Sequence, residues 1–233
     1  MNKITLLIVD DHPLFRQGVV DSLSLESDMR VVGQASSGDE ALELIRSLHP
    51  AVGVLDVNLP VMNGQQITHV VTQEKLPTRV VLMTGYDDIE QAIHAAIAGA
   101  AAYCAKDIEP QILMRTIRDV ASGKYVFGSR VLNRHELEVW VDEQMEGARR
   151  SYSEPGSPFH PLSDREMEVL GCVVRGMSNK EIAGLLGISH QTVKNHVTSI
   201  LRKFGVEDRT QAVVYALKHG WVQLNSANKK PEE

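Results

Sequence analysis

LLIVDDHPLFRQG, residues 6–18, is the stretch that decides the fold. The apolar run Ile4–Val9 ends abruptly at two aspartates, Asp10 and Asp11. Apolar side chains then return at helical spacing over residues 13–25. A continuous apolar run followed by an amphipathic helix is typical of a buried strand and its crossover helix in a parallel sheet.

The same alternation continues to residue 122. Further strands are predicted at Arg30–Ala35, Val52–Asp56, Arg79–Thr84 and Ala101–Ala105. Helices are predicted at Asp39–Leu48, Gly64–Thr72, Asp87–Ala98 and Pro110–Ser122. Five β/α units of this kind predict an α/β fold, a doubly wound five-stranded parallel sheet with helices on both faces.

Polar side chains stand where four of the predicted strands end, namely Asp10 and Asp11, Asp56, Thr84, and Lys106. Ligands of an open parallel sheet bind beyond the carboxyl ends of its strands, so these groups are expected in one crevice. Clustered carboxylates repel one another unless a cation lies among them. Mg²⁺, which prefers oxygen ligands, fits such a site.

These groups suit phosphoryl transfer to a carboxylate, which can act as a nucleophile. The metal and Lys106 would neutralise the transferred group, and Thr84 could then hydrogen-bond it. A gain of about two negative charges is enough to reposition a loop.

Residues 1–123 resemble a response-regulator receiver domain, which has a flavodoxin-like sheet. The matching segments are LLIVDDHPLFRQG, VLDVNLPVMNG, VVLMTG and AAYCAKD. The resemblance implies that Asp56 is the phosphoacceptor. It also implies an Mg²⁺ pocket formed by Asp10, Asp11, Asp56 and the backbone carbonyl of Asn58.

The resemblance extends to the groups that sense phosphorylation. It implies that Thr84 is the switch hydroxyl, Lys106 the pocket lysine and Tyr103 the aromatic side chain that reorients with Thr84. Proline often follows this lysine in receivers, but Asp107 stands here. A cis peptide without proline costs about 3 kcal/mol, so a trans bond is expected.

The C-terminal part reads as four short helices whose caps are visible in the sequence. Capping boxes pair Ser163 with Glu166 and Ser178 with Glu181, while Ser189 and Asp208 begin the third and fourth helices. Glycines at 176, 187, 205 and 220 are expected to end the four helices.

Residues 162–224 resemble the LuxR-type helix-turn-helix of the NarL/FixJ subfamily, over the run LSDREMEVLGCVVRGMSNKEIAGLLGISHQTVKNHV and beyond. A recognition helix at Ser189–Phe204 would place polar side chains in the major groove. Lys194 and Asn195 are the predicted base contacts, followed by Gln191 and Thr198. Ser189, Thr192 and Lys203 are the predicted phosphate contacts.

The connection between the two domains is long. Arg130–Arg150 is predicted to be helical, with an apolar stripe formed by Leu137, Val141 and Met145 beside Trp140. SYSEPGSPFHP then reads as a linker. The stripe predicts either packing on a neighbouring domain or a dimer helix. The predicted divisions are a receiver at 1–124, a helical and linker segment at 125–161, a helix-turn-helix domain at 162–225 and a disordered tail at 226–233.

Composition agrees with this division. Residues 1–128 hold 10 Lys/Arg against 16 Asp/Glu, whereas residues 161–233 hold 10 against 8. An acidic front half and a slightly basic back half suit a regulatory domain joined to a nucleic-acid-binding one. Cys104 and Cys172 predict buried thiols rather than a disulfide or zinc site. No apolar run predicts a membrane span, so a cytoplasmic protein is expected.

The sequence therefore predicts a phosphorylation-dependent, DNA-binding transcriptional regulator rather than an enzyme, apart from the receiver's own phosphoryl transfer and hydrolysis. Its expected partners are a sensor histidine kinase, promoter DNA with inverted or direct half-sites, a second copy of the chain when phosphorylated, and RNA polymerase. Two alternatives remain open, namely a pseudo-receiver regulator whose DNA binding ignores phosphorylation, and a phosphotransfer intermediate with vestigial DNA binding.

Overall fold

The structure, a computed structural model, describes residues 3–60, 62–85, 89–151, 162–218 and 221–222. The chain divides into an N-terminal unit, Met1–Gln144, and a C-terminal unit, Met145–Glu233. Four predicted features lie outside the described residues, namely the helix start at Asp87, the linker at 152–161, the helix stop at Gly220 and the tail at 226–233. The predicted domain boundaries stay a prediction. Within the described ranges, no helix is both long and apolar enough to cross a membrane.

The N-terminal unit alternates strands and helices along the chain. The elements are β1 (Ile4–Val9), α1 (Pro13–Ser24), β2 (Met29–Ala35), α2 (Gly38–Leu48), β3 (Val52–Asp56), α3 (Gly64–Gln73), β4 (Arg79–Thr84), α4 (Ile89–Ala98), β5 (Ala102–Ala105), α5 (Pro110–Ala121), β6 (Tyr125–Phe127), β7 (Arg130–Leu132) and α6 (Arg134–Ser151). The last of these begins in the N-terminal unit and ends in the C-terminal one.

The strands form one sheet in the order β2-β1-β3-β4-β5-β6-β7. All neighbours pair in parallel except β6 and β7, which pair antiparallel. The predicted doubly wound parallel sheet is confirmed, and it has seven strands rather than five. The strand order reverses at β1, which opens a crevice beyond the carboxyl ends of β1 and β3. Asp10 and Asp56 lie at that crevice.

The two additional strands form a hairpin at the start of the predicted helical and linker segment 125–161. Arg130–Leu132 is strand β7 rather than the first turn of a helix. Gly128 reverses the chain with a φ of +59°, a conformation that glycine adopts without strain. The helix instead begins after Asn133, which caps it. The backbone N–H of Glu136 donates to Asn133 Oδ1 (3.0 Å), and the N–H of Asn133 donates to Glu136 Oε2 (2.7 Å).

The C-terminal unit contains the four predicted helices, α7 (Asp164–Val174), α8 (Asn179–Leu186), α9 (His190–Phe204) and α10 (Arg209–Lys218). Both predicted capping boxes are present, and Ser189 Oγ accepts from the Thr192 N–H at 3.0 Å. Gly187 and Gly205 end α8 and α9 in the left-handed conformation. The core between these helices is apolar and includes Leu170, Ile182, Val193, Ile200 and Trp221.

Candidate functional site

The predicted acidic residues of the N-terminal unit meet at one point. Asp10 follows β1 and Asp56 ends β3, and only 2% and 1% of their surfaces are exposed. Ligand atoms of Asp10, Asp11, His12 and Asp56 all lie within 4.8 Å of one another. Three carboxylates held this close require positive charge between or beside them.

Lys106 supplies part of that charge. Its Nζ lies 2.7 Å from Asp56 Oδ2 and 2.8 Å from Asp10 Oδ2, so one ammonium bridges the ends of β1 and β3. The loop after β5 holds the lysine in place, because the Lys106 backbone N–H donates to the Thr84 carbonyl at 2.6 Å. The Phe15 ring of α1 lies 5.0 Å from the same ammonium. The peptide bond between Lys106 and Asp107 is trans, as predicted.

Burial dominates the electrostatics of the site. Burial raises the pKa of Asp56 to about 6, with the charge of Asp10 adding to the rise and Lys106 opposing it. Burial alone would lower the pKa of Lys106, but Asp56 and Asp10 outweigh it and hold that pKa above its usual value. At neutral pH the Asp56 carboxylate is therefore still mostly ionised, as a nucleophile must be.

The loop from β3 to α3 fixes the backbone around Asp56. The Asn58 N–H donates to Asp56 Oδ1 at 3.1 Å, and the Gly64 N–H donates to the Val57 carbonyl at 2.9 Å. Asn63 and Gln66 form a capping box that begins α3 immediately after this loop. The return of the chain is so tight that a Cβ at Gly64 would lie 2.4 Å from the Asp56 carbonyl oxygen.

Gly64→Ala is expected to displace the Asp56 backbone, because the obstacle is main chain rather than a flexible side chain. The free energy of unfolding of the N-terminal unit should fall by about 2–3 kcal/mol, and phosphoryl incorporation should fall with it. Urea unfolding followed by circular dichroism measures the first effect. The control is Gly18→Ala in α1, where a Cβ meets nothing within 4 Å. Equal stability of the two variants would contradict the role given to Gly64.

The other predicted receiver residues lie in strands β4 and β5. Thr84 is buried at the end of β4. It is in register with Ala105, the residue that directly precedes Lys106. Tyr103 is buried in β5, in register with Leu82 of β4.

The sequence prediction omitted His12, whose Nδ1 lies 2.7 Å from Asp11 Oδ1 and 3.3 Å from Asp10 Oδ1. Its position next to the aspartate pair was the available signal.

The C-terminal unit presents the predicted polar face on α9. Four side chains are exposed, those of Gln191, Lys194, Asn195 and Thr198. Val193 and Ile200 are buried on the opposite side of the helix. Gln191 Nε2 donates to Asn195 Oδ1 at 3.0 Å, which holds two amides side by side. Such a row of amide and ammonium groups matches the hydrogen-bonding edges of bases in a major groove.

The three predicted phosphate contacts have different surroundings. Ser189 and Thr192 lie at the start of α9, with their hydroxyls 2.8 Å apart. Lys203 instead lies 2.6 Å from Glu166 Oε2 of α7, and the two side chains are only 15% and 6% exposed. Its ammonium neutralises a carboxylate inside the unit, which gives Lys203 a structural role, and the phosphate contact of Lys203 stays a prediction.

Lys203→Met is expected to destabilise the C-terminal unit by about 3 kcal/mol at pH 7, because it leaves the buried Glu166 carboxylate unpaired. Burial alone raises the pKa of Glu166, but hydrogen bonds from Lys203, Ser163 and Ser199 outweigh it and hold that pKa at about 2. The pair therefore stabilises the fold fully above Glu166's ordinary pKa of 4.5, and this contribution disappears as the pH falls towards 2.

Urea unfolding followed by Trp221 fluorescence, in a Trp140→Phe background, measures this loss of stability. Lys180→Met, at an exposed position of α8, is the matched control. The difference between the two variants should shrink as the pH falls from 7 towards 3. A constant difference across that range would show that the charge of Glu166 is not its cause.

Family models match both units of the chain. A model described as the response regulator receiver domain matches residues 6–118, and a model described as bacterial regulatory proteins, luxR family, matches residues 160–216. The transcriptional regulatory protein DegU of Brevibacillus brevis is 37% identical over 229 residues, which cover 96% of this chain and 97% of that protein. The nitrate/nitrite response regulator protein NarP of Escherichia coli is 35% identical over 94% of this chain and 96% of its own.

Solved structures give the same picture of the fold. The signal receiver domain of NarL from Mycobacterium tuberculosis is 40% identical, with a TM-score of 0.52 over 53% of this chain and 99% of that chain. RcsB from Salmonella enterica serovar Typhimurium, solved bound to promoter rprA, is 19% identical, with a TM-score of 0.67 over 92% of this chain and 98% of that chain. The second likeness is one of fold alone.

Proposed function

The chain belongs to the response regulators that join a receiver domain to a LuxR-type DNA-binding domain, and we propose that phosphorylation of Asp56 by a sensor histidine kinase controls its binding to promoter DNA. The observation that carries this proposal is the pocket itself. A buried, ionisable carboxylate lies at the end of β3 beside two further carboxylates and is bridged by one ammonium.

The donor set fits Mg²⁺. The pocket holds three carboxylates, and one ammonium contacts two of them, so a divalent cation would balance the remaining charge. Hard oxygen ligands are those that Mg²⁺ prefers. Asp10, Asp11, Asp56 and the Asn58 carbonyl would hold it. Bound there, Mg²⁺ would supply positive charge to the phosphoryl oxygens during transfer.

The chain's own residues would carry out the rest of the reaction. An Asp56 carboxylate oxygen attacks phosphorus, the bond from phosphorus to the kinase histidine breaks, and an acyl phosphate forms. Lys106, already within 2.8 Å of both Asp56 and Asp10, neutralises a phosphoryl oxygen as charge builds up. Thr84, at the adjoining strand end, then hydrogen-bonds the new group. Tyr103, in the neighbouring strand, reorients with it.

DNA binding would use the exposed face of α9. Lys194 and Asn195 would contact bases, supported by Gln191 and Thr198, while Ser189 and Thr192 would contact phosphates. One small domain buries little DNA surface, so two copies on paired half-sites would add avidity. We therefore propose a homodimer in the phosphorylated state, acting on inverted or direct half-sites of promoters served by RNA polymerase.

The test uses the native full-length chain with acetyl phosphate as the phosphodonor. Intact mass spectrometry should show the addition of one phosphoryl group in the presence of Mg²⁺. EDTA, which removes Mg²⁺, should prevent this addition. Genomic fragments selected by the protein should bind roughly tenfold more tightly after phosphorylation. Incorporation of phosphate with no change in DNA affinity would instead support a regulator whose DNA binding ignores phosphorylation.

A further inference from the structure

We propose that Tyr103, Phe127 and Trp140 form an aromatic relay that carries the phosphorylation state of the pocket into α6. The inference rests on the proposed function, because it describes how that same site would be read out. The relay is defined as these three side chains, one each from β5, β6 and α6.

The first step of the relay is a juxtaposition that strand register sets. Tyr103 of β5 pairs with Phe127 of β6, and residues in register on neighbouring parallel strands project from the same face about 4.8 Å apart. The alternate residues Ala102, Cys104 and Val126 pack in the core with α1 and α5. Tyr103 and Phe127 therefore lie together on the opposite face of the sheet, and both are buried.

The second contact is a ring stack. The centroids of Phe127 and Trp140 lie 5.1 Å apart with an interplanar angle of 28°. Trp140 is 5% exposed and Leu137, one turn earlier, is 9% exposed, whereas Val139 between them is 43% exposed. One face of α6 is thus seated on the hairpin strand β6. This packing concerns Leu137 and Trp140, whereas the side chain of Met145 lies outside the described residues, so both alternatives for the apolar stripe stay predictions.

The start of the relay is tied to the pocket. Tyr103 lies three residues before Lys106, whose ammonium contacts Asp56 and whose backbone N–H donates to the Thr84 carbonyl. A phosphoryl group on Asp56 would insert between these partners and shift the end of β5. Close-packed aromatic side chains change position together rather than deform continuously, so Phe127 and Trp140 would follow.

Trp140, the last residue of the relay, belongs to the helix that connects the two units. The helix α6 runs without interruption from Arg134 to Ser151, and its residues from Met145 onward belong to the C-terminal unit. A change in the packing of Trp140 would alter the direction in which α6 leaves the sheet. The shift of α6 would in this way couple the phosphorylation state of Asp56 to the DNA-binding unit.

The first experiment measures DNA affinity of the full chain with and without beryllium trifluoride and Mg²⁺, a mimic of the phosphoryl group. The native ratio should be roughly tenfold. Trp140→Leu, which removes the stacked ring, should bring the ratio to about one while phosphoryl incorporation at Asp56 continues. Trp140→Phe, which keeps a ring against Phe127, should retain most of the ratio. Val139→Ala, at the exposed neighbour, should leave it unchanged.

A native ratio retained in Trp140→Leu would overturn the relay.

The second experiment follows Trp140 itself and does not involve DNA. Trp221→Phe leaves Trp140 as the sole tryptophan of a chain that has two. Its emission should change when beryllium trifluoride binds, and Phe127→Leu should abolish that response.

The two proposals fail in different ways. An unchanged DNA affinity with a responsive Trp140 would contradict the proposed function and support the relay. A phosphorylation-dependent DNA affinity with an unresponsive Trp140 would support the function and overturn the relay.

Discussion

Asp56→Asn is expected to abolish phosphoryl incorporation and to leave DNA affinity insensitive to acetyl phosphate. The amide is isosteric with the carboxylate but cannot act as a nucleophile in its place, and it removes one of the three carboxylate charges of the pocket. The loss should exceed about 100-fold in the rate of incorporation, because the variant lacks the nucleophile while Lys106 keeps its contact with Asp10.

Intact mass spectrometry with and without Mg²⁺ checks this result. Asp21→Asn, at an exposed position of α1, provides a matched change of charge away from the pocket and should be phosphorylated like the native chain. Label on the Asp56 variant equal to that on the Asp21 variant would rule out Asp56 as the acceptor. The pocket buries the acceptor, so the variant is expected to remain folded or to gain stability from the reduced repulsion.

The second large effect is expected in the C-terminal unit. Replacing Lys194 and Asn195 together by alanine should weaken binding to selected promoter fragments by about 100-fold or more, since each base contact contributes about 1–3 kcal/mol. Both side chains are exposed on α9, so the fold should not suffer. Loss of Asn195 also removes the acceptor of the Gln191 amide, which frees that side chain.

Lys218→Ala, at the exposed end of α10, removes the same charge from the same unit and is the matched control. Titrations with selected and scrambled DNA at two salt concentrations separate base reading from phosphate attraction. The double variant should lose its preference for the selected sequence over the scrambled one. The control should lose only a small part of its DNA affinity, and equally for both sequences. Equal losses for both would show that α9 does not read the bases.

Much of the N-terminal fold and its pocket followed from the sequence because β1, β3 and β4 are mostly apolar runs with a polar residue at or just after their end. Asp10, Asp56 and Lys106 lie at strand ends, and parallel strands bring their carboxyl ends to one edge. The bridging position of Lys106 did not follow, because a loop side chain can reach several partners. His12 was missed for a similar reason, since a single histidine carries no periodic signal.

The β6–β7 hairpin was missed because three-residue strands are too short to show an alternation. Asn133 and Glu136 did carry a readable helix start, three residues apart, which would have placed the beginning of α6 correctly. The pairing of Lys203 with Glu166 was not predicted, because Lys203 was considered only as one more cation of a recognition helix. Lys203 follows the buried Ile200 by three residues, so helical spacing puts it on the inward face.

The hairpin also decides what the sheet offers to other chains. Without it, β5 would be an edge strand of four apolar or aromatic residues, AYCA, open to unwanted strand addition. With it, the sheet ends on this side in β7, which is three residues long and begins with Arg130. A short edge strand with a charged residue pairs poorly with strands of other chains, so we expect the hairpin to reduce aggregation. A chain truncated before Tyr125 is expected to lose that protection.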